Sequence, residues 1–158
     1  MNLEFELNGE PVSADVDPTE PLRDVLRREF DCTGVKSGCL SGRCGVCTVH
    51  VDGDAAKSCL VLAGKVQGGS VTTIEGLTDG DDLHDVQRAL DDHFGLQCGY
   101  CTPGFVMSAV DYLEDDPDPD RGEIKAAVKG NVCRCTGYVK ILDAIEDVAE
   151  SRSPADDD

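Results

Sequence analysis

Residues 39–59 read CLSGRCGVCTVHVDGDAAKSC, and this stretch decides the fold of the first half of the chain. It spaces three cysteines as C-x4-C-x2-C and adds a fourth after an alternating run that predicts a strand and a turn. Four glycines lie between residues 34 and 45, where they permit positive φ and close approach of backbone N–H groups. The stretch therefore predicts a tight loop that gathers the thiols of Cys39, Cys44, Cys47 and Cys59.

This cysteine spacing is typical of plant-type [2Fe–2S] sites, in which four thiolates converge on two iron ions. Backbone N–H groups of such a loop point at the negatively charged sulfur atoms. A structural four-cysteine zinc site is the alternative. Zinc sites usually use two short C-x2-4-C pairs, whereas three of these cysteines share one loop. The spacing therefore favours the iron–sulfur cluster.

The residues on both sides of this loop predict a small α+β module over residues 1–76. Residues 2–16 alternate apolar and polar side chains around Asn8-Gly9, which predicts a β-hairpin. A helix is expected over 21–30 with Thr19 as its cap, because its apolar residues fall on one face. Further strands are expected over Val46–Asp52, ending in an Asp52-Gly53 turn, and over Ser70–Glu75.

Helical periodicity replaces strand alternation after a boundary near residues 76–82, and residues 77–150 predict a second, helical domain. Helices are expected over 83–94, 103–114, 121–129 and 137–150. The last three begin after Thr102, Asp120 and Thr136, with Asp120 and Glu123 forming a capping-box pair. Residues 151–158 predict a disordered acidic tail.

A second set of cysteines lies in this helical half as Cys98-x2-Cys101 and Cys133-x-Cys135. Each pair directly precedes a predicted helix, whose free N–H groups and partial positive charge stabilise thiolates. By spacing alone, this set fits a zinc ion about as well as an iron–sulfur cluster.

The composition excludes several classes of function. The 158 residues contain 32 Asp and Glu against 14 Lys and Arg, for a formal net charge of -18. A chain this acidic repels nucleic-acid phosphates and anionic membranes. The preference for Asp over Glu suggests halophilic adaptation, although ordinary solubility is the alternative.

The chain shows no basic and apolar leader and no run of about 18 apolar residues, so we expect no secretion and no membrane insertion. The cytoplasm is the expected location. Disulfides are rare there, and an odd count of nine cysteines fits a disulfide framework poorly. The cysteines are therefore expected to be metal ligands.

Four motifs in order carry a resemblance to a known family: GCLSGRCGVCTVHVDG…SCL, SVTTIEGL, LQCGYCTPGFVMSA and GNVCRCTGY. With these motifs, spread over about residues 3–148, the chain resembles the small iron–sulfur subunits of the molybdenum hydroxylases, the xanthine dehydrogenase and aerobic carbon monoxide dehydrogenase family. The resemblance implies an N-terminal β-grasp, plant-type ferredoxin-like domain followed by a C-terminal four-helix [2Fe–2S]-binding domain.

The resemblance also assigns residues. It implies that Cys39, Cys44, Cys47 and Cys59 bind the peripheral cluster. It implies that the cluster nearest the molybdenum is bound by Cys98, Cys101, Cys133 and Cys135. Gln97 and Cys135 are expected to contact the molybdopterin carried by a large partner subunit. The family's frequent His-Pro-Val-Gln here reads His84-Asp85-Val86-Gln87, a change at a helix start that affects no ligand.

The implied function is electron transfer within a molybdenum-dependent oxidoreductase, one electron at a time, from molybdopterin to a FAD subunit or another acceptor. The chain itself shows no catalytic or nucleotide-binding motif, so no catalytic residue is expected in it. The GLQCGYCTPG sequence resembles carbon monoxide dehydrogenase small chains. The alternative is an aldehyde, purine or N-heterocycle hydroxylase, and two other classes are a free ferredoxin-like carrier and a zinc-binding interaction module.

Some polar or reactive residues remain outside the two cysteine sets. Cys32 is expected to be a buried, small apolar residue rather than a redox-active thiol. The three histidines have no partners at metal-ligand spacing and are expected to be structural or surface residues. Arg43 and Arg134 adjoin cluster cysteines, where a cation raises a reduction potential, or else they lie at a surface or interface.

Overall fold

The computed structural model describes residues 1–78, 80 and 82–152. Within this part of the chain, a mixed five-stranded sheet with one α-helix packed on it is followed by four α-helices, which confirms the α+β fold. The strands are β1 (Asn2–Leu7), β2 (Glu10–Asp15), β3 (Thr48–Val51), β4 (Asp54–Lys57) and β5 (Ser70–Thr72). The helices are α1 (Leu22–Glu29), α2 (Asp85–Asp92), α3 (Thr102–Asp115), α4 (Arg121–Val128) and α5 (Val139–Arg152).

The sheet has the strand order β2-β1-β5-β3-β4. β1 pairs antiparallel with β2 and parallel with β5, and β3 pairs antiparallel with β4 and β5. Leu3, Phe5 and Leu7 of β1 share a core with Leu22 and Leu26 of α1. The connection between α1 and β3 carries Cys39, Cys44 and Cys47, and Cys59 follows β4.

Two tight turns confirm the predicted reversals. Asn8 and Gly9 have φ of 52° and 83°, and Asp52 and Gly53 have φ of 53° and 97°. These values fit the type I′ turns that Asn-Gly and Asp-Gly favour in hairpins. The second turn leads into β4. The sequence did not predict this strand, because its residues 54–57 (DAAK) contain no β-branched or aromatic residue.

Two details of the first half differ from expectation. Thr19 does not cap α1; its hydroxyl donates to Asp17, and Pro21 occupies the N-cap without a side-chain bond. The last strand ends at Thr72 rather than Glu75. The Thr73 N–H donates to Asn8 Oδ1 at 2.8 Å, and residues 74–76 turn into a 3-10 helix.

The helical half shows the predicted four helices around its own core. The capping box of Asp120 and Glu123 is confirmed at the start of α4. A second capping box joins His84 and Gln87, so α2 begins at Asp85 rather than Leu83. Thr102 is not a cap, because Cys101 occupies the N-cap position of α3.

The start and end of α5 also differ from the prediction. Gly137 and Tyr138 have φ of 67° and 71°, values that the right-handed helix excludes, so α5 begins at Val139. The helix continues to Arg152, so the first two residues of the predicted tail are helical. Arg152 donates to the Asp85 carboxylate at 2.7 Å and ties the end of α5 to α2. The remainder of the predicted tail, residues 153–158, lies outside the described residues.

The described residues form two hydrophobic cores, one under the sheet and one among the four helices. Ile74 and Leu77 pack on the helical core, so the chain passes between the cores close to the predicted boundary. The division into domains at residue 76 stays a prediction. No helix in the described part of the chain is long and apolar enough to cross a membrane.

Candidate metal centres

The first cysteine set consists of Cys39, Cys44, Cys47 and Cys59. Its loop points backbone N–H groups at sulfur: those of Arg43 and Cys44 lie 3.2 and 3.3 Å from Cys39 Sγ, and that of Ser41 lies 3.4 Å away. Bonds from Ser41, followed by those from Cys44, lower the pKa of Cys39 to about 5. The loop therefore stabilises negative charge on sulfur, as an anionic cluster requires.

Glycines let this loop fold so tightly. Gly42 and Gly45 have φ of 74° and 75°, which strongly favours glycine. At Gly38 a Cβ would lie 2.8 Å from Cys44 Sγ, so a larger residue would intrude on the sulfur. The sequence predicted this use of glycine correctly.

The members of the first set form two pairs. Cys39 pairs with Cys44 within the loop: the two side chains are in contact, and the Cys39 N–H lies 3.4 Å from Cys44 Sγ. The Cys47 side chain contacts that of Cys59, which follows β4. Burial, together with the neighbouring Cys59 thiol, raises the pKa of Cys47. One pair is therefore more exposed and the other is more buried against the sheet.

The second cysteine set consists of Cys98, Cys101, Cys133 and Cys135, and it is also paired. Cys135 Sγ lies 3.5 Å from Cys98 Sγ. The side chain of Cys101 contacts that of Cys133, and burial followed by this contact raises the pKa of Cys101 to about 12. Burial also opposes charge on Cys133, but hydrogen bonds from Thr136 outweigh it and lower the pKa.

This pairing distinguishes between the two kinds of metal site. In a [2Fe–2S] cluster each iron takes two protein thiolates, and two thiolates on one tetrahedral metal lie about 3.8 Å apart for bonds of about 2.3 Å. A structural zinc ion instead needs four ligands at one point. Within the described residues, no three His, Cys, Asp or Glu side chains lie close enough to hold one ion. The donor arrangement therefore fits two-iron clusters.

Hydrogen bonds join the segments that carry the two cysteine sets. The Val132 N–H, next to Cys133, donates to the Cys44 carbonyl at 2.9 Å. Lys36 donates to the Gly99 carbonyl at 3.2 Å, and the Tyr100 hydroxyl donates to the Ser37 carbonyl at 2.7 Å. These contacts were not predictable from the sequence, because they join segments about 60 to 90 residues apart.

The structure also locates the residues predicted to contact molybdopterin. Gln97 and Cys135 are both exposed, and Gln97 directly precedes Cys98, the partner of Cys135. They therefore lie on the outer side of the second set. The exposure agrees with a role towards a partner subunit, and the pterin contact stays a prediction.

The remaining candidate residues have structural surroundings. Cys32 is buried in the sheet core, and burial followed by the charge of Glu75 raises its pKa. His50 is buried with Nε2 2.8 Å from the Met107 carbonyl, and His93 faces Asp147. Together with the capping role of His84, these contacts confirm that the histidines are structural.

Comparison with known proteins agrees with the two cysteine sets. Residues 5–90 match the family described as "2Fe-2S iron-sulfur cluster binding domain", and residues 73–146 match the "[2Fe-2S] binding domain" family. The fold and the paired cysteines thus define an iron–sulfur protein with two [2Fe–2S]-binding modules.

Whole-chain relatives narrow this class. The chain is 46% identical to the nicotine 6-hydroxylase small subunit of Paenarthrobacter nicotinovorans over 93% of this chain and 88% of the relative. It is 40% identical to the nicotinate dehydrogenase small FeS subunit of Eubacterium barkeri over 95% of this chain and 96% of the relative. The crystal structure of quinoline 2-oxidoreductase from Pseudomonas putida 86 contains a chain that matches with a TM-score of 0.92 and 43% identity, covering 96% of this chain and 95% of that chain.

The chain belongs to the small iron–sulfur subunits of the molybdenum hydroxylases. A longer relative, the Desulfovibrio gigas aldehyde oxidoreductase, matches with a TM-score of 0.90 and 39% identity, and this chain covers 17% of it. The protein is therefore an electron-transfer subunit of a molybdenum-dependent oxidoreductase complex.

Proposed function

We propose that electrons leave the molybdenum centre of a large partner subunit through the second cysteine set and pass through the first set to a FAD subunit or another acceptor. The pairing of all eight cysteines at two adjoining sites carries this proposal. When bound, each [2Fe–2S] cluster accepts and releases a single electron. The chain's own residues hold the thiolates, shield part of each site from water and fix the distance between the sites.

A short backbone route links the two proposed clusters. It runs from Cys44 through its carbonyl to the Val132 N–H and on to Cys133, crossing between the halves by one 2.9 Å hydrogen bond. Cys44 and Cys133 belong to different cysteine sets. The chain therefore supplies a path of covalent bonds with a single hydrogen-bonded step between them.

Exposed apolar residues beside the second set support docking of the large subunit there. Phe94 is 82% exposed and Val139 is 58% exposed. A Cβ at Gly95 would lie 3.4 Å from the Lys140 carbonyl, which places the Phe94 segment beside the start of α5. Exposed apolar groups that adjoin each other mark interaction surfaces. We therefore assign this surface, next to Gln97 and Cys135, to the molybdopterin-binding subunit.

Phe94→Asp is expected to weaken retention of the large subunit by about tenfold or more, because it places a charge in a desolvated interface. Phe94 has a φ of 54°, a conformation that Asp tolerates, so the isolated chain should fold normally. Co-purification on a tagged small subunit measures the effect.

Leu40→Asp is the matched control. Leu40 is also exposed and has a φ of 58°, but it lies in the loop of the first cysteine set. This variant should retain the large subunit at the wild-type level. If Phe94→Asp retains as much of the large subunit as Leu40→Asp does, the assignment of this surface is wrong.

The substrate of the complex depends on the partner, since this chain shows no substrate site in its sequence. The relatives named for nicotine, nicotinate and quinoline support the N-heterocycle alternative. The carbon monoxide preference rests on GLQCGYCTPG alone, so we propose an N-heterocycle hydroxylase. Turnover assays of the purified complex with N-heterocycles, aldehydes and carbon monoxide would decide between them.

The high acidity supports a salt-dependent stability. Repulsion among charges that sum to -18 opposes folding, and salt screens it, with a Debye length of about 3 Å at 1 M. We expect the melting temperature to rise steadily as KCl is raised from about 0.1 M to above 1 M. A melting temperature that is the same at low and at high KCl would contradict the halophilic interpretation.

The use of the cysteines supports a reducing compartment. Eight of the nine are assigned to the two cluster sites, and Cys32 is buried in the sheet core. Thiols and iron–sulfur ligands persist in the reducing cytoplasm, whereas oxidising compartments favour disulfides. We therefore propose the cytoplasm as the site of the complex.

Metal analysis of the complex tests the proposed function. Purification of the tagged chain from its source should yield iron and acid-labile sulfide in equal amounts, together with a molybdenum-containing partner. Zinc without sulfide would instead support an interaction module. A lone chain that exchanges electrons at the full rate without molybdenum would support a free ferredoxin-like carrier.

A further inference from the structure

Three segments meet where the two halves of the chain contact each other, and Asn131 lies at their junction. The segments are the cysteine loop around Gly45, the first turns of α3 around Gly104, and the stretch that leads from α4 to Cys133. The Asn131 side chain is buried, with 4% of the residue exposed. A buried amide needs hydrogen-bond partners, so its contacts define what it does there.

Asn131 lies on the third of these segments, and its carboxamide bonds to the other two. The carbonyls of Gly45 and Gly104 lie at one end of the amide and that of Val128, at 3.4 Å, lies at the other, so the end with two carbonyls is assigned to the nitrogen. In this orientation the nitrogen donates to the Gly45 carbonyl at 3.3 Å and to the Gly104 carbonyl at 3.2 Å. Its oxygen accepts a hydrogen bond from Ser108 Oγ at 2.9 Å. One side chain therefore ties the first cysteine loop to α3.

The segments around Asn131 approach without intervening side chains. A Cβ at Gly104 would collide with the Gly45 carbonyl, and a Cβ at Gly45 would collide with Asn131. Because no flexible side chains lie between these segments, the distance between the cysteine loop and α3 depends on the hydrogen bonds of Asn131.

Asn131 also adjoins the backbone route between the cysteine sets. It directly precedes Val132, whose N–H donates to the Cys44 carbonyl, and it bonds to the carbonyl of Gly45, which follows Cys44. We propose that Asn131 is a positioning residue: its carboxamide holds Val132 against Cys44 and thereby fixes the separation and coupling of the two clusters. This inference rests on the proposed function, because it assumes a cluster in each set.

The test uses Asn131→Ala and Asn131→Asp in the cluster-containing protein. The first variant removes the carboxamide, and the second keeps its size but lacks the N–H2 donor. Two readouts report on position: hydrogen exchange of the Val132 amide, and the spin–spin splitting between the two reduced clusters in paramagnetic resonance spectra. Neither readout measures activity.

Asp111→Ala is the matched control. The Asp111 carboxylate accepts a hydrogen bond from the Ala55 N–H at 2.6 Å, so it also ties the two halves together, but outside the cysteine loops. If Asn131 only holds the halves together, Asp111→Ala should change both readouts as much as the Asn131 variants do.

We expect both Asn131 variants to keep two cluster signals, to exchange the Val132 amide several-fold faster and to lose much of the spin–spin splitting. Asp111→Ala should match the wild type in both.

Wild-type exchange and splitting in either Asn131 variant that retains both clusters would overturn the proposal, as would equal changes in Asp111→Ala. If Asn131→Ala does not fold, the outcome is read from Asn131→Asp; failure of both to take up clusters, with Asp111→Ala intact, would assign Asn131 to folding and overturn the positioning role. A wild-type protein with a single cluster would instead contradict the proposed function.

Discussion

Cys98→Ser is expected to remove one of two cluster signals and to reduce substrate-driven electron transfer through the complex to background. Cys98 and Cys135 form one thiol pair, with their sulfur atoms 3.5 Å apart, and a hydroxyl is a poor replacement for a thiolate ligand to iron. The first cysteine set shares no ligand with this pair, so its signal should persist, without the splitting that a second reduced cluster causes. Paramagnetic resonance of the reduced protein and an acceptor-reduction assay measure the two effects.

Cys32→Ser provides the matched control because it makes the same chemical change outside both sets. Cys32 is buried in the sheet core, and its Sγ faces the Phe30 carbonyl at 3.7 Å, a partner that Ser can also use. This variant should lose some stability but keep both signals. Persistence of both signals in Cys98→Ser, or loss of one in Cys32→Ser, would contradict the ligand assignment.

Gly104→Ala is expected to produce a large loss of stability from a single added methyl group. The new Cβ would collide with the Gly45 carbonyl and lie 3.0 Å from the Val46 Cα, and both are backbone atoms that have little freedom to move. Overpacking of this kind costs about 1–3 kcal/mol of unfolding free energy. The shift in the denaturation midpoint of the protein measures it.

Gly122→Ala is the matched control, since Gly122 also lies in the first turn of a helix. A Cβ there meets only the Asp120 carboxylate at 3.0 Å, and this side chain can move. Alanine is a better helix former than glycine by about 1 kcal/mol, so this variant should be unchanged or slightly more stable. A Gly104→Ala protein as stable as Gly122→Ala would show that the two halves do not pack as described.

The sequence predicted those parts of the molecule that depend on local chemistry. The Asn8-Gly9 turn follows from backbone preferences that two residues express on their own. The capping box of Asp120 and Glu123 depends on residues three positions apart. Cysteine spacing likewise indicated the two sets of four that the structure brings together in pairs, and four ordered motifs identified the family.

The features that the sequence did not predict depend on distant contacts. β4 forms because a turn folds it against β3, although its residues have little preference for strands. Thr19 resembles a helix cap, but its hydroxyl donates a hydrogen bond to the nearby Asp17 carboxylate instead. No sequence pattern indicated the role of Asn131, since the carbonyls that it binds belong to residues 86 and 27 positions earlier in the chain.

The most direct test of the account is the paramagnetic resonance spectrum of the fully reduced wild-type protein. The two cysteine sets differ in exposure, in the elements that hold them and in the N–H groups that surround their sulfur atoms. Two clusters in such different surroundings should give two distinguishable signals of equal intensity. A single signal, or zinc in place of iron and sulfide, would contradict the account.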